Sequence, residues 1–332
     1  MAGLARLAWL PGKPRRLAVT CEAGLRFCLR QKRLYGRLQA CKEVAMREKR
    51  SFAQETCIRS AGRAMQRLGM LWPGCRMGVA VSGGVDSFVL LKTLLIRQGI
   101  VPFRFELMAI HLNPGFDPAN HQPLVDWLKA NGVAGHIEVT DFGPEAHSER
   151  NLRNSPCFRC AWLRRKRLFE LCRQYGLTHL ALGHNADDLV ATFFMNLCRN
   201  GRVDGMSLAE PFFGGKLQVV RPLLMVEKKH IKAAARKWEL PLWANPCPSA
   251  GSTSRSDMAE TLQALYGVTG NARRCIFNGL SRWQFAKDEA KATCAVPAAQ
   301  DLDSAARSVG PALPEEESGS ACAGGLSGSL SE

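Results

Sequence analysis

Met77-Gly-Val-Ala-Val-Ser82-Gly-Gly-Val-Asp86-Ser87, followed by Phe88-Val-Leu-Leu-Lys-Thr-Leu-Leu-Ile-Arg97, is the stretch on which the fold turns. Its first part has the composition of a buried strand, and its last part a helical pattern. Between them, two adjacent glycines let the backbone turn tightly and aim successive N–H groups at one anion. The helix opening at the turn adds its positive dipole end, and Ser82 and Ser87 add hydroxyl donors. Bare phosphate would repel Asp86, so this carboxylate points to a magnesium ion between the two. There is no Gly-Lys-Ser/Thr ending, so this is not the loop of the common NTPases. A Gly-Gly turn alone would mean little. The whole hexapeptide, leaving a strand and opening a helix, reads as a phosphate site.

The same alternation continues outward. Leu107–Leu112, His136–Thr140, Thr178–Gly183 and Gln218–Leu224 read as further strands. Helical patterns cover about 121–130, 160–175, 187–198 and 227–239. Strands alternating with helices of this length predict an α/β fold: a five-stranded parallel sheet with helices on both faces. Ligands in such folds lie beyond the carboxyl ends of the strands. Gly183-His184-Asn185-Ala186-Asp187-Asp188 leaves its strand as the first loop does. A helix cap with acids in its first turn would explain it. Gly183, His184 and Asp187 would equally complete a magnesium and phosphate site, with Asp86, His184 and Asp187 as catalytic candidates. Arg221, near the fifth strand's end, reads either as a phosphate ligand or as half of a structural ion pair.

Three zones divide the chain: a basic extension over 1–50, partly helical and partly disordered, a folded body over 51–286, and a disordered acidic tail over 287–332. Residues 1–76 hold 17 Lys and Arg against 4 acids, and residues 288–332 hold 2 against 8. With a net charge of +16, a polyanionic partner is expected. No apolar run approaches the ~20 residues of a membrane span. The N-terminus lacks the charge-then-apolar order of a secretory signal. Its first 20 residues hold four cations and no acid, which an organelle transit peptide would also show; a cytoplasmic protein is the expectation.

Thirteen cysteines without an export signal indicate reduced thiols, some of them metal ligands. Cys172 and Cys198 sit in apolar helical patterns and read as core. Cys157 and Cys160, at C-x-x-C spacing, can grip one metal or two corners of a cluster, with Cys247 brought to the same rim by the fold. Spacing alone leaves zinc and an iron–sulfur cluster level, with a Cys157–Cys160 disulfide as a third reading.

Taken in order, the loop Ser82–Ser87, Cys157-Phe-Arg-Cys160 with Leu163-Arg-Arg165, Leu180-Ala-Leu-Gly-His184 with Asp187-Asp188, Val220-Arg-Pro-Leu223 and Pro246-Cys247 resemble one group of the PP-loop ATP pyrophosphatases. That group is the tRNA 2-thiocytidine synthetase (TtcA) family, and the resemblance covers about 53–260. It implies an adenine nucleotide alpha hydrolase-like fold. It implies adenylation, with ATP and Mg2+, of the C2 oxygen of a cytidine in tRNA, at position 32 in this family, and its replacement by sulfur. Ser82, Gly83, Gly84, Asp86 and Ser87 would then hold the nucleotide, together with Gly183 and Arg221. Cys157, Cys160 and Cys247 would hold a 4Fe–4S cluster. The implied partners are tRNA and a sulfur donor such as a cysteine desulfurase or sulfide; a homodimer is a further expectation. The chain departs from the family with Val85 where Lys is usual, and with Asn185 and Ala186 where His and Arg are usual. It also lacks the further Cys common beyond Cys247. The rival readings are a lysidine-type ligase, a 2-thiouridine synthetase, and a non-catalytic iron–sulfur or RNA-binding protein. The cysteine triplet opposes the first of these, the absence of paired C-x-x-C ribbons the second, and the intact loop the third.

Overall fold

The computed structural model describes residues 50–149, 151, 155–244, 246–249 and 254–294. The basic extension through residue 49 and the tail from residue 295 lie outside the described residues. The chain divides into Met1–Ala292 and Thr293–Glu332, and the architecture below is that of the first unit.

Helix α1 (Phe52–Arg67) begins on Ser51. The Gln54 N–H donates to the Ser51 hydroxyl at 3.4 Å and the Ser51 N–H to the Gln54 side chain at 2.8 Å, a reciprocal cap. Its Cys57, Ile58, Ala61 and Met65 recur at helical spacing and are buried. Strand β1 (Arg76–Ala80) then runs through the glycine turn into α2 (Val85–Ile100). Next come β2 (Glu106–Asn113), α3 (Gln122–Asn131), β3 (Ala134–Val139) and the short α4 (Phe142–Ala146). Helix α5 (Pro156–Gln174) starts where the Ser155 hydroxyl accepts from the Phe158 N–H, with Pro156 in its first turn. Strand β4 (His179–Ala181) feeds α6 (Ala186–Asn200), and β5 (Ala209–Phe212) and β6 (Leu217–Val220) form a hairpin. The described chain ends with α7 (Lys228–Lys237), α8 (Ser254–Tyr266) and α9 (Ala272–Cys294).

The sheet order is β3-β2-β1-β4-β6-β5, with every pair parallel except β5 with β6. All five expected strands are present, and β5 is a sixth that the sequence reading missed. Pro211 argues against a strand in Ala-Glu-Pro-Phe, but an edge position tolerates it because no outer neighbour needs its N–H. Phe88, Leu91, Leu94, Met65 and Ile231 pack one face of the sheet beneath α1, α2 and α7. Leu171 and Cys172 of α5 pack the other face against Ile110, Leu180 and Val219. Helices thus cover both faces, as a parallel sheet requires.

Two expectations are corrected. The tail does not begin at 287, because Lys287–Cys294 continue α9. Asp288 there is buried, accepting from the Leu208 N–H at 2.7 Å and from Gln284 at 3.1 Å. Composition marked these acids as solvent-seeking, yet one acid per turn can face inward when a backbone donor meets it. Cys198 is exposed in the last turn of α6, which overhangs the core its earlier residues enter. Among the described residues no helix is long and apolar enough to cross a membrane.

Candidate active site

From β1 the chain steps to β2 on one side, while β4 returns to β1's other edge. The crevice therefore opens between β1 and β4, where strand order reverses. The loops leaving these two strands meet there. A Cβ on Gly183 would lie 2.9 Å from the Ser87 nitrogen and 3.0 Å from the Asp86 carbonyl carbon, so only glycine permits the approach. Within the first loop, Ser87 Oγ accepts from the Ser82 N–H at 3.1 Å and donates to the Gly84 carbonyl at 2.9 Å. These bonds tie the loop's two ends together, with Ser82 Oγ 3.3 Å from Ser87 Oγ.

Gly83 has a φ of 90°, in the left-handed region, and its α-carbon rests on the indole of Trp243. A Cβ there would stand 2.4 Å from the ring. The Trp243 backbone N–H also donates to the Gly83 carbonyl at 3.2 Å. The same indole meets Phe88 and His111 edge-on, at centroid distances of 5.6 and 5.5 Å. His111 Nδ1 donates to the Val81 carbonyl at 2.7 Å, and burial pushes this imidazole down to a pKa of about 4. The loop is thus fixed from beneath by two aromatic side chains.

Asp86 is held on both carboxylate oxygens. Asn185 donates to Oδ1 at 3.0 Å, and the Lys228 ammonium to Oδ2 at 2.7 Å. The Lys228 backbone N–H donates to Asp187 at 2.9 Å, and Arg273 to the other Asp187 oxygen at 2.7 Å. Asn185 Oδ1 caps α6 by accepting from the Asp187 and Asp188 N–H groups, while Asp188 accepts from the Asn185 N–H. His184 is half-buried between β4 and α6. Arg221 is engaged elsewhere, donating to the Ser207 carbonyl at 2.5 Å and to Glu210 at 3.4 Å. Of its two expected roles, these contacts are those of the structural one.

Cys157 and Cys247 lie close enough to Cys160 to act on its thiol. Burial pushes the Cys160 thiol up and Arg164 draws it back, while the nearby Cys247 and Cys157 thiols push it up further. Cys157 Sγ also lies 4.0 Å from the carbonyl of Ser249, two residues beyond Cys247. His147 secures that segment: its Nδ1 donates to the Gly143 carbonyl at 2.8 Å, leaving Nε2 to accept from the Ser249 hydroxyl at 2.8 Å. Among the described residues no three His, Cys, Asp or Glu side chains converge to hold a single metal ion. One turn beyond Cys160, Arg164 lines a cleft with Val81, Ser82, Ile110 and Leu168 at the carboxyl ends of β1 and β2. The thiol helix therefore reaches Ser82, the first residue of the glycine loop.

A model of the PP-loop domain matches residues 58–247 and so ends on Cys247. The tRNA-cytidine(32) 2-sulfurtransferase of Geobacter sulfurreducens is 32% identical over 227 residues, 68% of this chain and 88% of that protein. The enzyme of the same name from Bordetella pertussis is 34% identical over 228 residues, 68% of this chain and 70% of that protein. This chain belongs to the PP-loop family, among the tRNA-cytidine(32) 2-sulfurtransferases. Among solved structures, the U34-tRNA thiolase NcsA from Methanococcus maripaludis with its 4Fe–4S cluster shares the fold. The TM-score is 0.57 at 23% identity, over 70% of this chain and 80% of that one.

For a PP-loop protein, the residues that sequence reading missed are informative. Lys228 carries no local motif, yet it stands at a loop that has Val85 in place of the usual Lys. In sequence Asn185 is only a departure from the family pattern, whereas its amide joins the two loops through Asp86. Trp243 gave no signal beyond its place four residues before Cys247.

Proposed function

We propose that this protein is an ATP-dependent tRNA-cytidine 2-sulfurtransferase, adenylating the C2 oxygen of a cytidine, at position 32, and replacing it with sulfur. The observation that carries this reading is the junction of two sites. Arg164, one turn from Cys160, lines a cleft with Ser82 of the phosphate loop, and Trp243, four residues from Cys247, packs on that loop. In the reaction, the base oxygen attacks the α-phosphate of ATP, an O–P bond forms, and pyrophosphate leaves. Sulfur then takes the oxygen's place and AMP departs. Amides of the loop Ser82–Ser87 and the amino end of α2 cradle the pyrophosphate, and Lys228 supplies the cation that Val85 does not. Asp86 is the residue for magnesium, oriented by Asn185, while His184, Asp187 and Gly183 shape the opposite wall.

Cys157, Cys160 and Cys247 form the donor set for a 4Fe–4S cluster. A structural zinc site takes four protein ligands, one more than these three thiolates supply. A cluster takes each cysteine on a different iron. When bound, it supplies an iron with an open position at which sulfur can be carried. We further propose cysteine desulfurase or sulfide as sulfur donor, and action in the cytoplasm.

The test supplies anaerobically reconstituted protein with ATP, magnesium, sulfide and tRNA, and follows pyrophosphate release together with nucleoside mass spectrometry. The expected product is 2-thiocytidine. Pyrophosphate release with a different thiolated nucleoside would reassign the base.

A further inference from the structure

On α5 the positions i and i+4 of Phe158 and Trp162 place two large rings on one outward face. They are 60% and 46% exposed, although rings of this size are rarely left in water beside each other. Cations flank them: the Arg159 guanidinium, which also donates to Glu145 at 2.8 Å, lies 5.2 Å and the Lys166 ammonium 5.7 Å from the Trp162 ring centroid. Arg165 lies on the same side of the helix, exposed next to Lys166. Cys157, Cys160 and Arg164 occupy the inward side of these same turns, toward the crevice. The first turns of α5 thus carry thiols within and an aromatic–cationic track without.

Alternating rings and cations are what single-stranded nucleic acid requires of a protein: flat faces for unstacked bases, positive charge for the phosphates between them. Paired RNA hides its base faces and would use only the cations. An apolar protein surface would use the rings and be hindered by the cations.

We propose that Phe158 and Trp162 are a stacking platform for unpaired nucleotides of the RNA loop whose target base enters the crevice, with Arg165 and Lys166 holding the intervening phosphates. This rests on the function proposed above and adds the residues that select an unpaired loop over a helix.

The experiment measures the affinity of the full chain for a tRNA anticodon stem–loop and for a fully paired RNA of equal length. It compares the wild type with F158A, W162A, F158A/W162A and W162F. The expected result is roughly tenfold weaker stem–loop binding for each ring removed, near wild-type binding for W162F, and unchanged binding of paired RNA. The dependence of log K on log salt should keep its slope in the ring variants, since no phosphate contact is lost, and flatten in K166A. Melting temperature checks that the variants fold. Equal loss of paired and looped RNA, or none in the double variant, overturns the platform. So does unchanged RNA binding accompanied by failure to take sulfur from a donor protein, which would assign the face to that protein instead. If the wild type makes no thiolated nucleoside while W162A still loses stem–loop binding, the proposed reaction falls and the platform stands.

Discussion

At the residue scale, Asp86 is the most constrained group in the site. Asn185 and Lys228 hold it at 3.0 and 2.7 Å, one donor on each oxygen, and each oxygen keeps a lone pair that a magnesium ion can take. Asp86→Asn should lower the rate of pyrophosphate release by about a hundredfold or more, as removal of an electrostatic group at a reacting phosphate does. Lys228→Met should cost about as much if its ammonium serves phosphate, whereas a purely structural Lys228 would change stability and leave the rate alone. Single-turnover pyrophosphate release separates these outcomes. The cysteines divide by their surroundings. Burial pushes Cys57 and Cys172 up to about 12, so both are inert thiols of the core. Serine at Cys157, Cys160 or Cys247 should abolish iron binding, read by iron analysis and visible absorbance. Serine at Cys172 should keep the iron and cost roughly 1–3 kcal/mol of stability by burying a hydroxyl. At exposed Cys198 the same change should keep the iron and leave stability nearly unchanged.

At the level of elements, periodicity made β1, β2, β3, β4 and β6 legible, because strands buried on both faces are apolar runs bounded by turn residues. Proline hid β5, and tail-like composition hid the last turns of α9. The loop Ser82–Ser87 was legible because its function lies in the backbone, and glycine pairs reveal backbone chemistry. Lys228, Asn185 and Trp243 were not legible, since each acts on a residue far away in sequence and proximity of that kind comes only from packing. Trp243→Ala should test how much the loop depends on the indole below it. It removes the ring from Gly83, Phe88 and His111 together, and about 3–5 kcal/mol of stability is expected to go with it. The KM for ATP should rise as well, because the amides of the loop lose their fixed aim; urea unfolding and steady-state kinetics read the two effects.

For the molecule as a whole, two buried histidines set the response to acid. Burial holds both His111 and His179 at about 4, against an ordinary 6.5. The unfolded chain therefore binds protons that the folded chain refuses. Their contribution is fully present above pH 6.5 and is lost as pH falls from there toward 4. Each should cost roughly 2 kcal/mol of unfolding free energy between pH 7 and 5. His121, also lowered by burial, adds in the same direction. Glu138 answers in a lower range: burial raises its carboxyl, but hydrogen bonds from His136 and Arg167 outweigh that and hold it at about 2. Its contribution is lost only between about 4.5 and 2. Denaturant titrations at pH 7, 6 and 5 should show the decline, and His179→Gln should remove about half of it. A flat profile would mean that the two imidazoles reach solvent more readily than their burial implies.

The contact of Trp243 with Gly83 also acts as a ruler. One end of a short peptide is pinned under the phosphate loop, and the other end is a cysteine four residues on. Four residues of fully extended chain span at most about 14 Å, so the Cys247 backbone cannot stray further than that from its pin. Inserting one glycine between Trp243 and Pro246 would add about 3.5 Å of slack while deleting no ligand and no phosphate contact. Such a variant would bind iron and release pyrophosphate, and would still mistime the delivery of sulfur to an adenylated base.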